Sequence, residues 1–269
     1  MQLRHINRQQ YFNEQCESTR KYVLPYIMQN AEKYCFENVK SIRVLEIGCG
    51  EGGNLAPFLE FGYKCYGIEL SEISYNNALK FYEAHPLKSH LLLYNKNIYD
   101  VTPEDVGGTF DIVFLRDVIE HIPEQEQFMK HLKKFISPNG VSFFSFPPWR
   151  MPFGGHQQIC RKKWFSCTPY IHILPKPLYR FMLKVFGSDN NEIEGLLNIA
   201  KTGISISRFE KIIQKENYIK IQKNHWLINP NYQIKFGLKP RKVLKVFQIP
   251  YIQDFYTTAV YYLVKVGNN

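Results

Sequence analysis

The chain has 269 residues, 45% of them hydrophobic, enough for one large domain or one domain carrying a sizeable insertion. No apolar run approaches the ~20 residues of a membrane span, and the polar start MQLRHINRQQYFNEQ lacks the apolar core of a secretory signal, so a soluble, cytoplasmic protein is expected. The net charge of +10 is uneven: residues 1–160 carry 16 Lys and Arg against 18 Asp and Glu, residues 161–269 carry 18 against 6. A half with a balance of +12 favours acidic small molecules, anionic lipid surfaces or nucleic acid, and serves solubility equally well. Six cysteines at irregular spacings, with no CxxC, read as reduced thiols.

Residues 8–38 have apolar side chains recurring at three and four, which predicts a helix, with Pro25 marking a kink or a start. IRVLEIG is a strand, NLAPFLEFG a helix closed by Gly62, and KCYGIEL the next strand. SEISYNNALKFYEAH follows as a helix with Ser71 at its N-cap. SHLLLYNKN and FDIVFLRDV are the third and fourth strands. EQEQFMKHLKKFI is a helix stopped by SPNG, and VSFFSFP the fifth strand. ISRFEKIIQKEN is a late helix, followed by the strands YIKIQKN and TTAVYYLVKV. Strands alternating with helices imply a mostly parallel sheet covered on both faces, with its ligand at the carboxyl ends of the strands. Residues 147–203 and 229–254 break the alternation. Rich in Pro, aromatics and Lys, they read as insertions over the active edge.

RVLEIGCGEGGNL, residues 43–55, ends the first strand in a glycine cluster. Gly48, Gly50 and Gly53 satisfy GxGxxG, a weak signal alone. Its neighbours sharpen it. Glu46 precedes the first glycine by two residues, where a dinucleotide pyrophosphate would repel a carboxylate. Glu69, 21 residues after Gly48, is placed to accept hydrogen bonds from ribose hydroxyls. Two such acids suit a nucleoside with a cationic amino-acid tail, which describes S-adenosylmethionine (SAM). Gly62, Gly67 and Gly140 read as turn residues.

VLEIGCGEG, YGIELS, NKNIYDV, FDIVFLRDVIEHIP and ISPNGVSFFSFP, in that order and spacing, resemble the core of class I SAM-dependent methyltransferases over about residues 40–147. The resemblance is to the broad group whose fourth motif reads acidic-x-x-Glu-His, as in ubiquinone-pathway O-methyltransferases. It implies an α/β, Rossmann-like, seven-stranded and mostly parallel sheet with its last strand antiparallel, flanked by helices. The implied organisation is an N-terminal helical cap (1–40), a SAM-binding core (41–147), a lid (148–203) and a C-terminal part of the core (204–269) with an insertion at 229–254. Carried onto this chain, the family pattern puts Glu46, Gly48, Cys49 and Gly50 along the methionine part of SAM. Glu69 takes the ribose, and Leu70 packs on the adenine. Asn97, where the family often has Asp, faces the adenine amino group with Ile98 beside it, and Arg116 stands near the methionine end.

Methyl transfer is an in-line displacement in which positioning supplies most of the rate, so a base is needed only for an acceptor that must lose a proton. His121 and His156 are the candidate bases. No metal is expected; Asp117, Glu120 and His121 form the set that would hold a divalent ion as a Lewis acid if one were used. A zinc site from His156, Cys160, Cys167 and His172 matches no usual spacing. PKPLYRFMLKVFG reads as an amphipathic helix, either a lid helix packed on the sheet or one lying on a membrane interface. Tyr170, Tyr179, Tyr232 and Tyr251 are set to line an acceptor pocket or simply to pack. FPPW at 146–149 lacks the polar residue of an N-methyltransferase motif and reads as a turn. The expected function is methyl transfer to a small or medium acidic acceptor, at oxygen, including lipid- or glycan-linked ones. The alternatives are RNA methylation through the basic half, an NAD-dependent oxidoreductase, and a non-catalytic SAM-binding protein. The oligomeric state is left open.

Overall fold

The computed structural model describes residues 7–35, 42–156, 160 and 162–267. Helix α1 (Arg8–Ser18) starts at Asn7, whose side chain accepts the Gln10 N–H. A π turn (Thr19–Val23) carries it into α2 (Leu24–Cys35). Pro25 is the second residue of α2 and has no N–H to give. Just before it the turn widens, and the Leu24 N–H reaches back five residues to the Thr19 carbonyl. Residues 36–38 of the predicted helix lie outside the described residues.

The central alternation runs β1 (Arg43–Ile47), α3 (Ala56–Glu60), β2 (Lys64–Glu69), α4 (Glu72–Tyr82), β3 (Leu91–Asn95), β4 (Phe110–Arg116), α5 (Gln125–Leu132) and β5 (Ile136–Phe146). The chain continues through α6 (Lys163–Ser166), α7 (Lys176–Val185), α8 (Asn190–Thr202) and α9 (Ile206–Lys215). It closes with β6 (Tyr218–Ile228), α10 (Asn231–Phe236), β7 (Arg241–Lys242) and β8 (Ala259–Val266). The sheet order is β3-β2-β1-β4-β5-β8-β6-β7. β1 to β5 pair in parallel, and β8 runs antiparallel to both β5 and β6.

Strand side chains alternate between the sheet's two faces, and both faces are buried. Leu45 and Ile47 of β1, with Val113 and Leu115 of β4, face one core with Phe128 of α5 and Phe209 of α9. Val44, Ile112 and Phe114 face the other, against Phe58 of α3 and Val23 and Ile27 from the N-terminal helices. The strands therefore read as near-continuous apolar runs. A third, smaller core lies between α6, α7 and α8, where Phe165, Tyr179 and Leu183 meet Ile193, Leu196 and Leu197 of α8.

Three expectations need correction. The sheet has eight strands, not seven, because the outer half of β6 runs long enough to pair Trp226 with Lys242 and Ile228 with Arg241, adding the two-residue β7 at the edge. SPNG does not stop a helix directly. α5 ends at Leu132, a 3-10 turn carries the chain to Phe135, and SPNG bulges within the start of β5, where the pairing slips between Phe110 and Ile112. Gly67 and Gly140 lie inside β2 and β5 rather than in turns, and close neighbours explain the glycines: a Cβ would come within 2.7 Å of the Cys49 sulfur at Gly67 and of the Phe110 carbonyl oxygen at Gly140. Among the described residues no helix is long and apolar enough to cross a membrane, and Cys16, Cys49, Cys65, Cys160 and Cys167 are free thiols.

Candidate functional site

The site forms where β1, β2 and β4 end. After Ile47 the chain turns through Gly48 at φ +68°, and the Gly48 and Cys49 N–H groups donate to the Ile68 carbonyl at 2.8 and 3.2 Å. A Cβ at Gly48 would lie 2.7 Å from the Val118 side chain, so only glycine lets the β1 and β4 ends approach this closely. The Gly50 N–H donates to Glu69 Oε2 at 2.8 Å, while Oε1 of the same carboxylate accepts the Ser71 N–H at 2.7 Å. Glu69 thus ties the glycine loop to the start of α4.

Glu46 is fully buried behind this loop. Its Oε1 accepts from Asn54 Nδ2 at 2.7 Å, and its Oε2 has no hydrogen-bond partner. Burial pushes its carboxyl well above the usual range, the Asn54 hydrogen bond and the Arg116 guanidinium oppose that rise, and Glu69 adds to it. Arg116, at the end of β4, donates to Asn54 Oδ1 at 2.9 Å, to Thr19 Oγ1 at 3.0 Å and to Ser18 Oγ at 2.7 Å. The two hydroxyls come from the junction of α1 with the π turn. The carboxylate, amide, guanidinium and hydroxyls form one buried polar network, in which a missing member leaves its partners unsatisfied.

Two cavities open on either side of Gly48 and Val118. The first, about 510 Å³, is lined mainly by apolar side chains, with Glu69, Leu70, Asn97, Ile98 and Tyr99 on its wall. Leu70 is largely exposed there. The Asn97 Oδ1 accepts the Tyr99 N–H at 3.1 Å, capping a short 3-10 turn. Ile98 is nearly buried and presents its edge.

The second cavity, about 420 Å³, is lined by Gly50, Asn54 and Arg116 at its floor and by His121 and His156 at its side. Tyr11 and Gln15 of α1, Ile199 of α8, and Asn231 and Lys235 of α10 close it. Gly48, Asp117, Val118 and His121 belong to both cavities. Asp117 and His156 each sit at positive φ, +56° and +59°, a backbone state costing about 1–3 kcal/mol that clusters at functional sites.

Of the residues expected to hold SAM, Gly48, Gly50, Glu69, Leu70, Asn97, Ile98 and Arg116 line these cavities. Glu46 and Cys49 do not. Glu46 lies behind Asn54, and the Cys49 side chain turns into the core beneath Gly67, so Cys49 would meet a ligand only through its backbone. The spare acceptor capacity of Glu69, on the wall of the first cavity, fits a ligand with hydroxyl donors, whereas the unpartnered Glu46 Oε2 is closed off from both cavities. Asn54, Ser18, Thr19, Tyr11, Gln15, Asn231 and Lys235 escape sequence reasoning. Only Asn54, directly after the glycine cluster, carried a local signal.

The candidate bases meet: the rings of His121 and His156 stand 5.0 Å apart, edge to face. Glu120 is buried, its nearer oxygen is 4.0 Å from His121 Nε2, and neither oxygen has a hydrogen-bond partner. Burial, and then Asp117, push the Glu120 carboxyl well up. One ligand atom from each of Glu120, His121 and His156 lies within 4.8 Å of the others, and Asp117 is not in this set. An orphaned carboxylate with two imidazoles fits a divalent transition ion. The residues of the imagined zinc set are spread apart: His172 is within 2.7 Å of the Trp149 carbonyl, Cys160 packs in the third core, and Cys167 is exposed. None of Tyr170, Tyr179, Tyr232 and Tyr251 is on the wall of either cavity.

A family model described as a methyltransferase domain matches residues 14–173. A ubiquinone biosynthesis O-methyltransferase of Rhodopseudomonas palustris is 32% identical over 103 residues, covering 38% of this chain and 39% of that protein. The chain spans less than half the length of the curated relatives it matches. Among solved structures, a SAM-dependent methyltransferase from Clostridium acetobutylicum aligns with TM-score 0.57 at 13% identity, over 94% of this chain and 92% of that one. PKMT2 from Rickettsia typhi, in complex with AdoHcy, aligns with TM-score 0.56 at 15% identity, over 93% and 54%. The structural likenesses establish the fold, and the family match spans more than half of the sequence. The chain therefore belongs to the methyltransferase-domain family.

Proposed function

We propose that the chain methylates a small or medium acidic acceptor at oxygen, with SAM binding across the two cavities. The observation that carries the reading is the meeting of an apolar, Glu69-rimmed cavity and a polar, two-histidine cavity at Gly48, Asp117, Val118 and His121. In this reading Glu69 accepts from the ribose, Leu70 and Ile98 sandwich the adenine, and Asn97 meets its edge. Asn54 and Arg116, held by Glu46, Thr19 and Ser18, shape the methionine end. SAM supplies the methyl group. His121 or His156 takes the acceptor proton, and Lys235 and Arg116 meet the negative charge of the acceptor on a wall that also carries Glu14 and Asp117. A divalent ion, if used, is held by Glu120, His121 and His156 and polarises acceptor oxygens.

The lid (148–203) and the insertion (229–254) serve as the acceptor-side walls, through His156 and Ile199 of one and Asn231 and Lys235 of the other. The ubiquinone-pathway O-methyltransferases among the relatives support an oxygen acceptor. The test is S-adenosylhomocysteine release with a panel of catechols, phenolic acids and aliphatic carboxylates, run beside RNA, after calorimetry with SAM and NAD. Turnover of an acidic phenol or carboxylate is expected. Binding of NAD without SAM, or turnover of RNA alone, would overturn the reading.

A further inference from the structure

Two stretches of the chain lack any acidic residue. Residues 127–188 and 217–253 hold no Asp or Glu, while 217–253 alone carries seven Lys and Arg. Within the second stretch the surface is apolar as well as basic. Phe236 and Leu238 are exposed, followed by Leu244, Val246 at 76%, Phe247 at 56%, Ile249, Tyr251 and Ile252. Lys239, Arg241, Lys242 and Lys245 are interleaved with them, all exposed. Among the described residues, no carboxylate pairs with these four cations. Asp254, which ends the stretch, is buried and paired with Arg150.

The first stretch supplies a matching face. On α7, Tyr179 and Leu183 turn into the third core, yet Leu178, Phe181 and Val185, spaced i, i+3, i+7, stay in water, Phe181 at 63%. Lys176 and Lys184 lie on the same helix. An open apolar groove of about 450 Å³, lined by Tyr170, Ile173, Leu174, Pro175 and Phe255, joins the approach to α7 with the end of the second stretch. The Tyr170 hydroxyl donates to the Phe255 carbonyl at 2.9 Å across it.

We propose that this face, residues 236–255 with the outer stripe of α7, docks the protein on an anionic bilayer surface. Exposed aliphatic and aromatic side chains among cations match an interface where lipid buries the apolar groups and anionic headgroups meet the charges; on α7 the cation Arg180 is already paired with Glu194 of α8, which leaves Lys176 and Lys184 for the headgroups. A nucleic acid would use the cations and leave Leu244, Val246, Ile249 and Ile252 in water. The face is continuous with the acceptor cavity through α10, whose Lys235 lines that cavity and whose Phe236 begins the patch. The inference stands apart from the acceptor's identity.

The test is co-sedimentation of the full chain with vesicles of phosphatidylcholine, with and without phosphatidylglycerol, at low and high salt. Partition onto the anionic vesicles, weakened by salt, is expected. Replacing Arg241, Lys242 and Lys245 by Glu should lower that partition roughly a hundredfold, at about 1 kcal/mol per basic residue lost, before counting the added repulsion. Val246→Asp with Phe247→Asp should abolish it while leaving SAM affinity and circular dichroism unchanged. Three results would overturn the proposal. One is no partition onto either vesicle. Another is a wild-type dimer that the Val246/Phe247 double variant converts to monomer. The third is RNA binding lost in the charge variant while vesicle binding persists.

Discussion

Glu69→Ala is the sharpest probe of the proposed adenosine role of the first cavity. An ionised carboxylate offers about four lone-pair sites. In Glu69 two are taken, by the Gly50 N–H at 2.8 Å and the Ser71 N–H at 2.7 Å, which leaves about two for ribose hydroxyls. Hydrogen bonds to a charged group contribute about 1.5–3 kcal/mol each, and water that enters the emptied space recovers part of that. A net loss of about 3 kcal/mol corresponds to a roughly hundredfold weaker SAM dissociation constant. Glu69→Gln keeps one acceptor oxygen but turns an NH₂ toward the loop amides or the ribose, so roughly a tenfold loss is expected. Calorimetry with SAM and S-adenosylhomocysteine reads both variants, with thermal unfolding as the check that the loop still folds. An alanine variant that binds SAM within about threefold of wild type would remove Glu69 from the ribose and leave it as a loop clamp.

Ala at His121 or His156 should slow turnover by about 10²–10⁴ if that residue is the base, with SAM affinity largely kept; full activity in both would place proton removal elsewhere. Titration of Mn²⁺ should show binding by the wild type that Glu120→Gln abolishes, and equal binding by both would take the carboxylate out of any ion site. Gly48→Ala at φ +68° costs about 1–2 kcal/mol in backbone terms and pushes Val118 toward both cavities, so melting temperature and SAM affinity should fall together. An unchanged melting curve would contradict the close approach of β1 and β4. Burial pushes His225 down to about 4 from 6.5, so between those pH values the unfolded chain binds the proton that the folded one refuses. Stability should therefore fall as pH drops from about 6.5 toward 4, by an order of about 3 kcal/mol. His225→Gln should flatten that slope in urea titrations; an identical slope would assign the pH dependence to other groups.

What could be read from the chain was what lies close in sequence. β1 running into Gly48 and Gly50, and Glu69 at the tip of β2, are each a strand end and its next few residues, so apolar pattern and turn chemistry reveal them. The Arg116 network beside the second cavity is different in kind. Arg116 reaches Asn54, Thr19 and Ser18 from 62, 97 and 98 residues away, contacts that only the packing of α1 against the sheet creates. The meeting of Glu120 with His156 is hidden for the same reason, so the D-x-x-E-H spacing points to Asp117 as the third ligand instead. The eighth strand escaped because two residues at an edge carry no periodicity.

The widened turn at Thr19–Val23 has a mechanical meaning for the whole N-terminal segment. One additional residue in a helix offsets everything beyond it by about 100° around the axis. Upstream, Tyr11 and Gln15 line the second cavity; downstream, Ile27 and Ala31 pack into the core under the sheet. Removing a single residue between 19 and 23 would straighten the spiral and force a choice: keep the anchor and lose the cavity wall, or keep the wall and tear the anchor from its bed.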